Sequence, residues 1–210
     1  MTRLDVAAEI ETNGGWMDPT FQEYLKAEQT ADRLRIVGSS LLLPGLLQTD
    51  GIAIAIDRWA GSDPDNIGAQ VSLRLRRQRI LDSLDGGAHF FLPEDAITNN
   101  PMSANTNVLR HQIDDLITRT YQDGVSLRIL PNGMHPAPGP GVNEAAGPGG
   151  TAVYTEDPSA GRDGDRHFYR PDDAEVARYS GIIDACGEAA LSEGASRGFL
   201  EQAYADLAHN

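Results

Sequence analysis

A helix predicted over residues 67–84 carries charges on its buried side, and this feature constrains the fold more than any other in the sequence. At ~100° per residue its apolar side chains gather into one wide arc, made of Ile67, Val71, Leu73, Leu75, Ile80, Leu81 and Leu84. Arg74, Arg77 and Gln78 fall inside that arc. Because an unpaired buried charge is strongly destabilising, the fold must bring these arginines an acid or an anionic ligand.

Further helices are predicted towards both ends of the chain and in its middle. Apolar residues recur at helical spacing over residues 21–36, 49–59, 105–121, about 174–190 and 193–207. Asp18 is predicted to cap the first of these helices, Asp172 or Asp173 the fourth, and Ser192 the last. Gln112 lies within the apolar face of the third, so it is another polar residue expected on a buried face.

Short strands are predicted between the helices. Residues 88–93, 125–130 and 151–155 are strand-like runs, two of them ending at a Pro. The Gly- and Pro-rich stretch 133–150 is predicted to be a loop, and residues 1–18 a flexible lead. This order predicts an α+β fold with a small antiparallel sheet flanked by N-terminal and C-terminal helices, in a single domain over residues 19–210.

The charge balance excludes several classes of partner. The 210 residues include 31 acidic and 17 basic ones, for a formal net charge of −14. A protein that binds the phosphates of nucleic acid needs basic clusters, so we expect no direct contact with nucleic acid. No run approaches the ~18 apolar residues of a membrane span, and the acidic N-terminus does not form a signal peptide. We therefore expect a cytoplasmic protein that does not enter a membrane.

The motifs that hold common cofactors do not occur in the sequence. Cys186 is the only cysteine, which excludes a multi-cysteine zinc site, and the five histidines are scattered. The stretch 147–151 has glycines but lacks the lysine of a phosphate loop, and its Pro148 removes an amide donor. We expect neither a metal nor an organic cofactor.

Two glutamates and a histidine are the candidates for acid/base chemistry. Glu94 and Glu156 each follow a predicted strand, where a carboxylate can be held at the edge of a pocket. Either glutamate can form a structural ion pair with Arg74 or Arg77, or keep a raised pKa and transfer protons. His135 lies in the predicted loop, where it either faces solvent or carries protons beside the pocket. Both interpretations are open from the sequence.

A series of short motifs recurs in this order in one known family. It consists of Leu43-Pro-Gly-Leu-Leu-Gln-Thr49, Arg74-Leu-Arg-Arg-Gln78, Glu94 after a strand, Gln112-Ile, Val125 to Pro131, His135-Pro, Val153-Tyr-Thr-Glu156 and Ala190-Leu-Ser192. Over about residues 21–200 the chain resembles domain of unknown function 5753. This is the antitoxin-like transcriptional regulator domain found at the C-terminus of actinobacterial regulators of the WhiJ and AbaA type.

The resemblance implies a function and a set of site residues. In typical members the domain follows a helix-turn-helix, works with a small partner protein and is expected to sense a ligand or a partner. The family pattern falls on Glu28, Pro44, Gly45, Gln48, Thr49, Arg77, Gln78, Glu94, Gln112, Pro131, His135, Tyr154, Glu156 and Ser192. The residues predicted to bind a ligand are Gln48, Arg74, Arg77, Gln78, Gln112 and Tyr154.

The chain also departs from the family pattern. About twenty residues precede the domain, fewer than a helix-turn-helix needs, so we do not expect it to dock on DNA in the family's manner. The barely apolar stretch 141–147 replaces an aromatic-rich strand of the family. This replacement predicts the loss of a strand and an opened sheet edge or pocket mouth.

Two hypotheses follow for the function. The first is a stand-alone regulatory module that senses a small molecule or a partner protein and does not itself bind DNA. The alternative is a cofactor-independent enzyme of secondary metabolism, a cyclase, isomerase or dehydratase, with Glu94, Glu156 and His135 as acid/base residues in the same pocket. Both hypotheses call for a small-molecule ligand or substrate, and both leave assembly into a homo-oligomer open.

Overall fold

The computed structural model describes residues 5, 8, 17–100, 102–134, 141–156 and 166–207. Seven α-helices and six strands have their bounds within these residues. In chain order they are α1 (Pro19–Thr30), β1 (Arg33–Val37), α2 (Asp50–Trp59), α3 (Pro64–Arg77), β2 (Ala88–Pro93), α4 (Glu94–Thr98), α5 (Thr106–Arg119), β3 (Val125–Leu130), β4 (Gly141–Gly147), β5 (Gly150–Glu156), β6 (Arg166–Tyr169), α6 (Ala174–Ala189) and α7 (Glu193–Asp206). Short 3₁₀ turns cover Gly45–Leu47 and Gln78–Asp82.

The six strands form one mixed sheet in the order β3-β2-β1-β4-β5-β6. Strands β1, β2 and β3 pair in parallel, whereas β4, β5 and β6 pair antiparallel. The predicted α+β class is confirmed, but the prediction of a small and purely antiparallel sheet is wrong. The reason is that α2 and α3 lie between β1 and β2, and a crossover of this length is what a parallel pair requires.

The sequence pattern missed the two central strands, β1 and β4, and the edge strand β6. Strand β1 falls within the segment predicted to be a helix over 21–36, because its five residues continue the apolar spacing of α1. Strand β4 falls within the predicted loop 133–150 and pairs on both sides, with β1 and β5. The expected loss of a strand over 141–147 is therefore wrong. In β4, Gly147 allows the strand to lie close to the end of α1, since a Cβ on Gly147 would lie 2.6 Å from the Thr30 carbonyl oxygen.

The helix boundaries follow the predicted caps. Side chains of Asp18, Asp173 and Ser192 accept hydrogen bonds from the first turns of α1, α6 and α7. Helix α6 covers one face of the sheet, where Ile183 and Cys186 are fully buried. Helices α1, α4, α5 and α7 contribute to the larger core on the other face. Within the described ranges, no helix is both long and apolar enough to cross a membrane.

Candidate functional site: a cavity at the end of the central strand

A cavity of about 670 Å³ lies between the sheet and the first three helices. Its walls come from α1, α2, α3, the carboxyl end of β1 with the segment that follows it, and β4, β5 and β6. At β1 the sheet changes from parallel to antiparallel pairing, and binding sites of open α/β sheets form at comparable switch points. The volume is within the range of small-molecule sites.

Local structure places three aromatic rings in the cavity wall. Phe21 and Tyr24 lie one turn apart on α1 and so share a face of the helix. Tyr154, in β5, meets both of them, with ring centroids 5.6 Å from Phe21 and 5.2 Å from Tyr24. Glu156 is two residues further along β5 and therefore faces the same side as Tyr154.

Three arginines line the cavity, and each is paired with a carboxylate. Arg77 donates from Nε and Nη2 to Glu28 at 2.9 and 2.8 Å, and both side chains are buried. The guanidinium of Arg74 makes an equivalent two-bond pair with Asp57, at 2.7 Å for each bond.

The third pair joins Arg166 to Glu156, from Nε to Oε1 at 2.8 Å. The buried arginines thus have acids, as expected, but Glu94 and Glu156 are not the partners of Arg74 and Arg77. The partners lie on α1 and α2, because those helices pack against the arginine-bearing face of α3.

Two buried polar atoms in the cavity wall have no hydrogen-bond partner among the residues that the structure describes: Tyr24 Oη and Gln48 Oε1. We call these two residues the cavity-facing pair. Tyr24 is 1% exposed and Gln48 5%. The Gln48 amide nitrogen donates to the Leu43 carbonyl at 2.7 Å, whereas its buried oxygen has no partner among the described residues.

The motif around Pro44 explains how Gln48 reaches this position. Leu46 and Leu47, in the 3₁₀ turn Gly45–Leu47, are buried in the core. Gln48 is the C-cap residue of this turn, and Thr49 is the N-cap residue of α2. Two anchored leucines thus fix the backbone on one side of Gln48 and a helix fixes it on the other.

Gln112 makes a separate polar cluster that has no free hydrogen-bonding group. Its Oε1 accepts from the Thr49 backbone N–H at 2.8 Å and from the Thr49 hydroxyl at 3.2 Å. Its Nε2 donates to the Leu47 carbonyl at 2.7 Å. We call these three residues the Gln112 cluster; they tie α5 to the segment that presents Gln48. Gln112 borders a different void of about 30 Å³.

The Gln78 side chain also contacts the backbone of the segment that contains Gln48. Its Nε2 donates to the Gln48 carbonyl at 2.7 Å, and its Oε1 accepts from Arg119 at 2.9 Å. Gln78 is not part of the cavity wall, and its hydrogen bond helps to hold the Gln48 backbone in place.

Burial sets the protonation state of the two tyrosines. Burial raises the pKa of the Tyr24 hydroxyl well above its usual value, and the Glu28 charge raises it further. The Glu28 carboxylate also raises this pKa through a side-chain interaction with that hydroxyl, although the two groups do not meet at regular hydrogen-bond geometry. Burial also raises the pKa of Tyr154, with further contributions from the charges of Glu156 and Asp18 and an opposing one from Arg166. Both phenols are therefore neutral donors at physiological pH.

The structure brings together some of the predicted site residues and separates others. In the cavity wall are Gln48, Arg74, Arg77, Tyr154 and Glu156. Outside it are Gln78, Gln112 and Glu94; the Glu94 carboxylate accepts instead from the Asn132 backbone N–H at 3.1 Å. His135 lies outside the described residues.

Four residues of the cavity wall were not predicted as site residues: Asp18, Tyr24, Asp57 and Arg166. The helical spacing of Asp18, Phe21, Tyr24 and Glu28 was the available signal for the α1 residues. Among the described residues, no group of three or more His, Cys, Asp or Glu side chains is arranged to hold a metal ion.

The fold and the site together define a class of protein: an α+β domain with a polar and aromatic cavity between a mixed sheet and its first three helices. Residues 21–202 match the family model described as "Domain of unknown function (DUF5753)". The chain therefore belongs to the DUF5753 family, which confirms the resemblance found in its sequence. Neither a curated protein nor a solved structure matches the chain significantly.

Proposed function

We propose that this domain binds a small organic molecule in the cavity and serves as a sensing module related to actinobacterial transcriptional regulators. The observation that carries the proposal is the cavity-facing pair, two polar atoms buried without a partner among the described residues. Leaving a buried polar group unsatisfied costs about 1–3 kcal/mol. A ligand that satisfies both groups removes that cost, which gives the site a built-in preference for the bound state.

The two groups differ in what they ask of a ligand. Gln48 Oε1 can only accept a hydrogen bond, because the amide nitrogen is already held by Leu43. The Tyr24 hydroxyl, kept neutral by its raised pKa, can donate and accept. The complementary molecule therefore has a donor facing Gln48 and a polar atom facing Tyr24.

Binding in this cavity has a direct route to a conformational signal. The walls come from segments far apart in sequence, including α1, the Gln48 segment and β5. A molecule in contact with all of them stabilises their mutual packing by mass action. The contact with a regulatory partner protein and the lack of direct DNA binding stay predictions of the first hypothesis.

The enzyme alternative has narrower support. It requires acid/base residues gathered in one cavity, and of its three candidates Glu156 lines the wall. The Glu94 carboxylate lies elsewhere, against the Asn132 backbone, and Glu156 itself is tied to Arg166. Binding is therefore the function we propose. Retention of full turnover by the Glu156→Gln variant would remove the remaining catalyst candidate of that alternative.

The test is native mass spectrometry of the protein isolated from the cells that produce it, with parallel analysis of its small-molecule extract. We expect one molecule per chain. Asn143→Phe fills the cavity, because Asn143 lies in its wall on β4, and this variant should lose the adduct. Asn107→Phe makes the same change at an exposed position of α5 and should retain it.

Two results would contradict the proposal. One is a wild-type protein that carries no small molecule even after incubation with the extract. The other is an adduct that survives Asn143→Phe as well as it survives Asn107→Phe, since the molecule would then lie outside the cavity. A stoichiometric partner chain in place of a small molecule would instead favour a protein-interaction module.

A further inference from the structure

The described residues in and behind the cavity wall hold more negative than positive groups. The guanidiniums are those of Arg74, Arg77 and Arg166, and the carboxylates are those of Asp18, Glu28, Asp57 and Glu156. Three of the four carboxylates pair with the three guanidiniums. The surplus negative charge is that of Asp18, which lines the same cavity as Glu156 and Arg166; we call this part of the wall the acidic corner.

The two carboxylates of this corner lie at the ends of two elements: Asp18 at the N-terminus of α1 and Glu156 at the end of β5. Asp18 caps α1, and its Oδ1 accepts from the Phe21 N–H at 3.0 Å. Glu156 holds Arg166, its neighbour in the register of β5 and β6. The charges of both carboxylates reach Tyr154 and raise the pKa of its buried hydroxyl. The corner is therefore an acidic site against an aromatic ring.

Two of the three cavity arginines, Arg74 and Arg77, are not available to an anion. Arg74 and Arg77 each give two short hydrogen bonds to their own carboxylate. An anionic ligand could reach either guanidinium only by stranding a buried carboxylate, which is strongly unfavourable. The net charge of −14 on the whole chain adds a long-range field that attracts cations and repels anions.

The unpartnered Gln48 oxygen also favours a ligand that donates hydrogen bonds. Gln48 Oε1 accepts and cannot donate, so it selects an N–H or O–H group. The Tyr154 ring lies on the same side of β5 as Glu156. The Phe21 ring, whose centroid is 5.6 Å from that of Tyr154, already has the Arg77 guanidinium over it at 4.9 Å. Aromatic faces next to acidic groups are the surroundings that proteins use for organic cations.

We infer that the ligand of this cavity is a monocationic organic amine, with its ammonium at Asp18 and Glu156 beside Tyr154 and a second donor towards Gln48. This inference rests on the proposed function, because it names the class of ligand for the same cavity. It predicts that the cavity prefers a cationic ligand to a neutral or anionic one, a preference that a cavity without the surplus carboxylate would not show.

The test uses three probes with one carbon skeleton and different charge: phenethylamine, phenylacetamide and phenylacetate. Each is titrated into the full chain, labelled with ¹⁵N, at millimolar concentrations. We expect phenethylamine to shift the resonances of cavity residues and to bind about tenfold more tightly than phenylacetate. Asp18→Asn should remove that preference and leave phenylacetamide unaffected.

The Asp18→Asn variant has a matched control in the same chain. Asn caps helices as well as Asp, so α1 should keep its start in the variant. Asp63 caps α3 in the same way, with a proline following it, but does not line the cavity. The Asp63→Asn variant should therefore keep the wild-type preference for the amine.

Failure of this inference can be told apart from failure of the proposed function. If phenylacetate or phenylacetamide binds in the cavity as tightly as the amine, or if Asp18→Asn leaves the amine affinity unchanged, the inference is wrong and the cavity is still a binding site. Absence of cavity shifts with all three probes also overturns the amine assignment. In that case the native mass measurement alone decides whether the cavity binds anything.

Discussion

Gln48 and Gln112 are two buried glutamines that differ in how many hydrogen bonds their side chains form. Gln112 is 2% exposed and Gln48 is 5% exposed. Gln112 uses its oxygen and its nitrogen on Thr49 and Leu47, whereas Gln48 uses its nitrogen alone and its oxygen has no partner among the described residues. Burial alone therefore does not separate a residue that supports the fold from one that we propose to bind the ligand; the two differ in the completeness of their hydrogen bonds.

The Gln112 cluster and the cavity-facing pair are also mechanically connected. Leu47 and Thr49, the two contacts of Gln112, are the chain neighbours of Gln48. A fully satisfied glutamine thus holds the backbone on both sides of an unsatisfied one. Such support matters for a binding group, because its position must be held by surroundings that do not depend on the ligand.

The largest expected effect comes from Arg77, which lines the cavity but is satisfied like Gln112. Arg77→Leu leaves the Glu28 carboxylate buried without its partner, so we expect the free energy of unfolding to fall by about 3–5 kcal/mol. Chemical denaturation measures this change. Because replacing both members of a buried pair by apolar residues is often tolerated, the double variant Glu28→Leu with Arg77→Leu should recover much of it. A loss below about 1 kcal/mol in the single variant would show that the pair is not structural.

A smaller effect is expected for Gln112→Leu. The Thr49 N–H and the Leu47 carbonyl lose their partner in a buried place, which costs about 2–3 kcal/mol. Melting temperature and denaturation report this loss. Under conditions where the variant is folded, ligand should still bind, although less tightly if the Gln48 segment loosens. A variant as stable as wild type would contradict the structural assignment of Gln112.

Gln48→Leu should reduce ligand binding more than stability, which is the opposite of the effect expected for Gln112→Leu. The change removes one hydrogen bond, to the Leu43 carbonyl, and also removes an unsatisfied oxygen, so we expect a stability loss of about 1 kcal/mol or less. Ligand adducts in native mass spectra should disappear. If this variant binds as well as wild type, the Gln48 oxygen does not contact the ligand.

Tyr24→Phe should have the smallest effect on stability and a clear effect on binding. It deletes a buried hydroxyl that has no partner within the described residues, so the unfolding free energy should stay within about 0.5 kcal/mol of wild type or rise slightly. Binding should weaken about tenfold. Tyr204→Phe is the control, since the Tyr204 hydroxyl accepts a hydrogen bond from Arg110 at 3.2 Å and lies outside the cavity wall. A large loss of stability in Tyr24→Phe would mean that its hydroxyl is structural.

The long C-terminal helices were predictable, whereas the sheet was predictable only in part: β2, β3 and β5 were expected, and β1, β4 and β6 were not. Helices α5, α6 and α7 have long amphipathic repeats and capping residues, and their predicted positions match the structure. Strand β1 is five residues long and follows α1 after two residues, so its apolar pattern merges with that of the helix. Strand β4 is rich in Gly and Ala and is stabilised by pairing with neighbours on both sides, a long-range effect that local patterns do not contain.

The candidate site was predictable as a set of residue types but not as an arrangement. Helical geometry placed Arg74, Arg77 and Gln112 on buried faces and required partners for the charges. The partners Asp57 and Glu28 lie on other helices, and no local pattern links them to α3. Glu94 and Glu156 looked equivalent in sequence, since each follows a strand, but only the latter lies at the cavity, because β5 lies over the cavity and the end of β2 does not.

By itself, the sequence determined the family, the α+β class and the presence of polar groups that had to be buried. Those properties depend on residue type and on spacing within one element, which the chain carries locally. The tertiary structure alone decided which buried groups are satisfied and which face an open space. That distinction depends on atoms brought together from α1, the Gln48 segment and β5, and hydrogen-bond completeness is a property of the assembled neighbourhood rather than of any one segment.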